Sequence, residues 1–263
     1  MRLFWELVKL SFQRQLTYRA ATLAGLATNF FFGMLRASVL TSLYGARSQV
    51  EGVSLEGAIT FTALSQASLA FLSMFSWYDV MDSVYSGQVG SDLLKPMNYF
   101  TFWMAQDLGR ALASLLTRGL TIMVAYAVFV GLTFPQTAVQ WSVLLVALFL
   151  SWLVSFAWRF LVNLASFWTP NAQGVGRFAF VLSWFLTGFL MPLRFFPGWF
   201  VRLAYLTPFP HTVNALIEIY LGVLSGPELL QTLLGQLLWA VALILAAQLA
   251  LRAGMRRLVI QGG

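Results

Sequence analysis

The chain has 263 residues, of which 59% are apolar and only 10% charged, and its net charge is +7. A water-soluble domain carries about 25% charged residues, so this composition excludes a soluble globular protein and predicts a surface that faces lipid. The lack of cysteine excludes disulfides and thiolate metal sites, and a single histidine, His211, excludes a histidine cluster. We expect no nucleic-acid partner, because the basic residues lie at the ends of apolar segments, where lipid headgroups explain them.

Residues 1–19 predict an amphipathic helix. Its apolar positions recur at helical spacing and face away from its charged and amide side chains: Leu3, Phe4, Leu7, Val8, Leu10 and Phe12 against Arg2, Glu6, Lys9, Gln13 and Arg14. This pattern is typical of an interfacial helix that lies flat on a membrane. The alternative is a juxtamembrane extension of the first span.

Six apolar segments follow, and each is long enough to cross a bilayer. They predict one all-α membrane domain over 1–263 with transmembrane helices at 21–44, 58–80, 108–132, 138–164, 174–193 and 229–251. Eleven basic residues fall on one side of these spans: Arg2, Lys9, Arg14, Arg19, Lys95, Arg110, Arg159, Arg177, Arg252, Arg256 and Arg257. Only Arg47, Arg194 and Arg202 fall on the other. The asymmetry predicts that both termini are cytoplasmic.

The connection between the second and third spans, 81–107, is polar and punctuated. Gly87 and Gly90 permit sharp turns, Ser91 or Asp92 is suited to cap a helix, and Pro96 ends it. We therefore expect a short stiff helix that a soluble partner can grip. The alternative is a simple turn, although such turns need only about two to eight residues.

The connection between the fifth and sixth spans, 194–228, is too apolar for an exposed loop, and its prolines prevent a continuous helix. Two short re-entrant helices in the outer leaflet satisfy both facts, since irregular backbone is tolerated at membrane depth where protein covers it.

Motifs for catalysis are absent from the sequence. It contains no GxxxxGK[ST] phosphate loop, no HExxH and no GxSxG. The acids Asp79, Asp82, Asp92 and Asp107 cluster near the cytoplasmic ends of the second and third spans rather than pairing at mid-membrane. We therefore expect no enzymatic activity in this chain.

Two stretches carry a family resemblance: "GQVGSDLLKPMNYFTFWMAQDLGRAL" after the second span and "FLMPLRFFPGWFVRLAYLTPFPHTVNALIEIYLG" after the fifth. With the amphipathic start, they resemble the integral membrane subunits of ABC-2 type transporters, and most closely the bacterial ABC-2 family transporter permeases. The resemblance implies a dimer of permease subunits, of one or two kinds, in the bacterial cytoplasmic membrane. It also implies two separate ATPase subunits that bind ATP and Mg²⁺, with no cofactor on this chain.

The resemblance assigns roles to two sets of residues. The coupling helix that docks into the ATPase corresponds to Gly87, Gly90, Asp92, Leu93, Leu94, Lys95 and Pro96. The connecting helix corresponds to Phe4, Leu7 and Phe12 on its apolar face, with Glu6 and Arg14 on its polar face.

Two charged residues are candidates for the translocation path. Arg36 lies inside the first span, where an arginine either faces a cavity or partner, or extends to the outer interface. Glu218 either pairs with Arg36, lines the exit or lies at a solvated helix end. Asn29 and Asn163 are expected to form hydrogen bonds between helices.

Most of the 24 phenylalanines are expected to face lipid or the core. Any transport path would therefore be lined with aromatic side chains, which suits a hydrophobic or amphiphilic cargo. Export driven by a separate ATPase is the leading interpretation, and it follows from the resemblance to ABC-2 type permeases. The alternatives are an importer or flippase of the same architecture, and an ion-coupled carrier or channel that needs no ATPase.

Overall fold

The computed structural model describes residues 1–74, 77–169, 171–224 and 226–257. The described chain is a helical bundle with one β-ribbon, which consists of two strands of two residues each. The α-helices are α1 Arg2–Thr17, α2 Arg19–Tyr44, α3 Leu55–Leu72, α4 Asp79–Tyr85, α5 Val89–Leu93, α6 Tyr99–Ser114, α7 Leu120–Phe129, α8 Ala138–Asn163, α9 Gln173–Leu186, α10 Gly198–Tyr205, α11 Val213–Leu221 and α12 Gly226–Met255. Strands β1 Gln49–Val50 and β2 Val53–Ser54 pair antiparallel between α2 and α3.

Five stretches of the described chain are long and apolar enough to cross a membrane: Thr22–Tyr44, Leu55–Leu72, Tyr99–Phe129, Ala138–Phe167 and Gly226–Met255. Side-chain oxygens cap the starts of three of them by accepting backbone N–H groups, namely Ser54 before α3, Asn98 before α6 and Thr137 before α8. The second stretch, α3, is the most buried of the five and lies at the centre of the bundle.

The third span begins earlier in the structure than the sequence predicts. The structure starts this helix at Tyr99 rather than near 108, because Asn98 accepts hydrogen bonds from the backbone of Phe100 and Thr101. A π-helical turn, Leu115–Gly119, joins α6 to α7. The connection predicted over 81–107 is therefore shorter, and its last nine residues belong to the helix.

The helices within the predicted second and fifth spans are shorter than the sequence predicts. The helix predicted over 58–80 ends at Leu72, where Ser73 adopts a left-handed conformation with φ 48°. The segment predicted over 174–193 contains α9, whose 14 residues extend about 21 Å at 1.5 Å per residue. Gly188, with φ +73°, turns the chain after α9, and a Cβ there would lie 2.9 Å from Leu193 Cγ.

Helix α1 packs along α6 through a very close backbone approach. A Cβ at Gly109 would lie 2.2 Å from the carbonyl oxygen of Val8, and Ser11 Oγ donates to the carbonyl of Gln106 at 2.6 Å. Val8 and Ser11 are buried, whereas Leu3 and Leu10 of the predicted apolar face stay exposed. Only part of the predicted apolar face thus contacts the protein.

The segment between α9 and α12 enters the bundle and returns. Its turn, Phe209–His211, lies against the middle of α8 and α12, because Ser151 Oγ donates to the carbonyl of Thr212 at 2.9 Å and Gln236 Nε2 to that of His211 at 3.0 Å. Helix α11 then runs back to the start of α8, where Gln140 Nε2 donates to the carbonyl of Tyr220 at 2.8 Å.

We predict that Gly109→Ala displaces α1 from α6. The added methyl clashes with backbone, and such overpacking costs about 1–3 kcal/mol. Because the natural chain has no cysteine, a Ser11→Cys variant reports the displacement through its rate of maleimide labelling, which should rise several-fold in Gly109→Ala. Gly174→Ala is the control, since a Cβ there meets nothing within 4 Å. Equal labelling rates in both variants would contradict the predicted contact.

Candidate functional site

Helices α4 and α5 form a bend, residues 79–96, which we call the elbow. Gly87, with φ +76°, makes the turn between the two helices. Asp92 in α5 is only 2% exposed, and its carboxylate accepts hydrogen bonds from Ser83 Oγ and Lys95 Nζ, each at 2.6 Å. The ammonium of Lys95 also lies 3.8 Å from the centre of the Phe102 ring. One buried carboxylate thus ties α4 to α5 and to the residues that follow.

The prediction that Ser91 or Asp92 caps the start of this helix is wrong. Asp92 lies in the last turn of α5 and is directed at Ser83 and Lys95. Ser91 Oγ donates to the carbonyl of Gln88. A carboxylate removed from water is stabilised more by an ammonium and a hydroxyl than by one backbone N–H, which accounts for the difference.

The elbow presents one leucine to the outside and buries part of the other. Leu94 is 87% exposed, and Tyr85 and Pro96 are two further exposed residues of the elbow. Leu93 is half-buried and packs against the main apolar core. Of the two predicted docking leucines, Leu94 is therefore available to a partner, whereas Leu93 anchors the elbow.

Two clefts flank the elbow. A polar cleft of about 540 Å³ lies between the elbow, α1 and α6, and is lined in part by Arg14, Asp79, Asp82, Gln88 and Asp92. A more apolar groove of about 350 Å³ runs along α1 and is lined in part by Leu3, Leu7, Leu10, Lys95 and Pro96. Among the predicted connecting-helix residues, Leu7 and Arg14 face these clefts. Phe4 and Phe12 are half-buried, and Glu6 is exposed.

A buried ion cluster lies next to the elbow inside the bundle. Asp107 of α6 is fully buried and receives two hydrogen bonds from Arg159 of α8, at 3.0 and 2.9 Å. Arg110 donates to the same carboxylate through Nε at 2.9 Å, and Trp152 donates through its indole N–H at 2.8 Å. The paired geometry of Arg159 matches both oxygens of the carboxylate, which makes this contact strong and directional.

The same cluster holds the interrupted end of α3. Arg110 Nη1 and Nη2 donate to the carbonyls of Ala70 and Phe71, at 2.7 and 3.2 Å. Ser155 Oγ donates to the carbonyl of Leu72 at 3.0 Å. The last carbonyls of a helix lack partners within the helix, so these side chains replace the missing turn. The early end of α3 thus depends on residues from α6 and α8.

Four polar residues of α8 form a stripe that contacts most of the bundle. Ser151, Ser155, Arg159 and Asn163 recur every fourth position and therefore share one face. Asn163 Nδ2 donates to the carbonyl of Trp77 at 2.7 Å, and its Oδ1 accepts the backbone N–H of Met81 at 3.2 Å. The interhelical role expected for Asn163 is confirmed, and the stripe reaches from the Phe209–His211 turn to the elbow.

Sequence reasoning missed this cluster because it counted Arg110 and Arg159, which lie near the ends of two predicted spans, among the basic residues of the cytoplasmic side. Both are instead packed against Asp107 within helices. The four-residue period of polar side chains in the otherwise apolar α8 is the signal that identifies the stripe. Arg118, which was also overlooked, lies in the π-helical turn with its guanidinium against Gly25 of α2.

Arg36 and Glu218 do not form the pair considered for them. Glu218 is 6% exposed and binds Arg194 Nε at 2.9 Å, so the alternative of a solvated helix end is also wrong. Arg194 Nη1 in turn donates to the carbonyl of Glu51 in the β-ribbon turn at 3.2 Å. Arg36 Nη2 donates to the carbonyls of Phe189 and Leu190. The two candidates thus belong to different contacts.

A largely apolar cavity of about 390 Å³ lies among α3, α7, α8 and α11. Its lining includes Leu64, Phe71, Met123, Leu148 and Leu216. Within the described ranges, no group of three acids or histidines could hold a metal ion.

We predict that Asp107→Asn strongly destabilises the protein. Removing one partner of a buried ion pair costs about 3–5 kcal/mol, because the remaining charges lose their counter-charge. Thermal unfolding in detergent should show a large fall in melting temperature. Asp82→Asn, at an exposed position of α4, is the matched control and should change it little. The second substitution Arg159→Met should cost less in the Asp107→Asn background than alone. Additive effects would argue against the ion pair.

Comparison with known families agrees with these features. The family described as ABC-2 family transporter protein matches residues 28–262, a range that includes the elbow, the ion cluster and the segment that enters the bundle. No curated protein matches the chain. Because the match covers most of the sequence, the chain belongs to the ABC-2 family transporter proteins, which are membrane-spanning components of ABC transporters.

Proposed function

We propose that this chain is the permease subunit of an ABC exporter for a hydrophobic or amphiphilic compound. A separate ATPase, present in two copies, supplies the energy and carries the ATP and Mg²⁺. A second permease subunit, identical or related, completes the membrane domain. This chain itself binds no cofactor and catalyses no reaction. The observation that supports this proposal most directly is the elbow, with its exposed Leu94 and its buried carboxylate tie.

The elbow has the properties that a mechanical contact requires. Movement of Leu94 is passed to α4 through the bonds that Asp92 makes with Ser83 and Lys95. From α4, the backbone around Met81 is bound to Asn163 of α8. Because packed elements held by hydrogen bonds move together rather than deform, closure of the ATPase pair would shift α8 and the end of α3.

The orientation that fits this role places α1, the elbow and both termini in the cytoplasm. With Arg110 and Arg159 assigned to the buried cluster, nine basic residues remain on that side against three on the other. Helix α9 starts beside the elbow, since a Cβ at Gly176 would meet the ring of Tyr78. We propose that α9 and residues 187–193 make one further crossing, the fifth in chain order, which brings the number of crossings to six. We also propose that α10 and α11 are re-entrant helices and that the membrane is the bacterial cytoplasmic membrane.

The proposed translocation path uses the apolar surfaces of the bundle together with Arg36 and Glu218. Glu218 and Arg194 join α11 to the β-ribbon turn at the end opposite the elbow. An ion pair there can act as an outer closure that opens when α11 shifts. The apolar cavity beside α11 suits the hydrocarbon part of a cargo.

We predict that Leu94→Asp abolishes docking of the ATPase and leaves the fold intact. An exposed substitution changes stability by only about 0.5 kcal/mol, whereas a charge in an apolar docking contact is strongly unfavourable. Co-purification with the ATPase encoded beside this chain measures docking. Leu206→Asp is the control, since Leu206 is 75% exposed in a different part of the chain. Undiminished co-purification of the Leu94 variant would exclude the elbow as the docking element.

We further predict that transport in proteoliposomes requires ATP and the partner ATPase. The competing ion-coupled carrier would transport without ATP and stop when the ion gradient is dissipated. Transport rates measured with ATP, without ATP and with an ionophore distinguish the ATP-driven permease from the ion-coupled carrier. Transport that persists without ATP would overturn the proposed function.

A further inference from the structure

Arg36 lies deep in the membrane-crossing part of α2. It is the fifteenth residue of the stretch Thr22–Tyr44, about 21 Å from Thr22 at 1.5 Å per residue. The hydrocarbon core of a bilayer is about 30 Å thick, so this charge is on the far side of the midplane from the elbow. An arginine at this depth needs partners that compensate its charge.

The contacts of Arg36 satisfy only part of its guanidinium. Nη2 donates to the carbonyls of Phe189 and Leu190, and the ring of Phe189 lies 4.6 Å from the guanidinium carbon. Nε and Nη1 are buried and have no hydrogen-bond partner among the residues that the structure describes. A guanidinium has five N–H donors, so three of them are unused in these contacts.

A counter-charge is also missing from this part of the described chain. Its four salt bridges join Asp92 with Lys95, Asp107 with Arg110 and with Arg159, and Glu218 with Arg194; Arg36 takes part in none of them. Carbonyl oxygens carry only partial charges. Since a cation buried without an anion is unfavourable, the site is matched to an anion that the described residues do not supply.

The surroundings of Arg36 indicate what kind of anion can reach it. The side chain is half-buried, and exposed apolar residues lie next to it on α2: Phe32 four residues before, Leu35 one before and Val39 three after. Leu190 is exposed on the facing segment. A free inorganic ion would have to cross this apolar rim, whereas an amphiphile can place its chain on the rim and its anionic group at the arginine.

We propose that Arg36 binds the anionic headgroup, phosphate or carboxylate, of an amphiphile. In this interaction the guanidinium turns from its place on Phe189 toward the exposed rim and directs Nε and Nη1 at the anion in paired geometry. This inference rests on the proposed transport function and adds that the cargo, or a lipid that accompanies it, is anionic. Phosphate and carboxylate both match the two parallel donors.

The first experiment uses the intact complex with its ATPase in nanodiscs of neutral phosphatidylcholine. The probes are dodecyl phosphate, dodecanoate, dodecyltrimethylammonium and dodecyl maltoside, added below their micellar concentrations. We expect the two anionic probes to stimulate ATP hydrolysis at lower concentration than the other two. Arg36→Gln should raise their half-maximal concentration about tenfold, the equivalent of one lost charged contact. Arg202→Gln, which removes an exposed arginine of α10, should not.

Stimulation that is independent of headgroup charge, or equal in Arg36→Gln and Arg202→Gln, would overturn the inference. If Arg36→Gln does not fold, the thermal shift of the unmodified complex with each probe decides. An anion site predicts that dodecyl phosphate raises the melting temperature of the complex and that dodecyltrimethylammonium does not. Arg36→Lys should retain part of the effect, since it keeps the charge and loses the paired donors.

Two further comparisons distinguish a lipid headgroup from cargo as the source of the anion, and failure of this inference from failure of the proposed function. Arg36-dependent stabilisation by phosphatidylglycerol discs without a probe would identify a lipid headgroup, whereas Arg36-dependent stimulation in neutral discs alone would identify cargo. Both support an anion site. Stimulation by none of the amphiphiles in a complex that hydrolyses ATP overturns this inference and leaves the transporter assignment intact. Failure to form any ATPase complex instead counts against the proposed function.

Discussion

The buried carboxylate of Asp107 is the interaction on which the architecture of this bundle depends. It lies between two arginines from different helices, and one of these arginines also holds the last carbonyls of α3. In lipid, water cannot satisfy the open end of a helix, so α3 can end before the membrane boundary only where side chains replace the missing turn. Without Asp107, two guanidinium groups would lie in the core uncompensated.

This constraint explains why α8 has polar residues on one face. Three of the four stripe residues satisfy backbone that departs from helix: Ser151 at the inserted turn, Ser155 at the end of α3 and Asn163 at the start of α4. The fourth, Arg159, binds the carboxylate of Asp107. Helix α8 is thus a common support for the two irregular segments of the fold. A displacement of one irregular segment is therefore transmitted to the other through this helix. Such transmission is expected of a membrane domain that is driven by a separate ATPase.

Arg36 differs from the cluster in a way that matters for function. Arg110 and Arg159 share a carboxylate, whereas Arg36 has carbonyl and aromatic partners and lies beside an exposed apolar surface. The buried Asp92, Asp107, Arg159 and Glu218 form salt bridges with partners from the chain itself. A charge that departs from this rule is the place where an external group can contribute most to stability and where binding can shift the equilibrium between conformations.

The membrane class, the interruption near residues 86–100 and the lack of a continuous helix over 194–228 could all be predicted from the sequence. They follow from local chemistry: long apolar runs, glycines at tight turns and prolines that interrupt helices. Helix ends were predicted less well, because Asn98 started α6 early and the side chains of α6 and α8 allowed α3 to end at Leu72. The partners of Asp92, Asp107, Arg36 and Glu218 were decided only by the tertiary structure. A buried charge takes the partner that packing brings within about 3 Å, and sequence spacing does not specify that neighbour across helices.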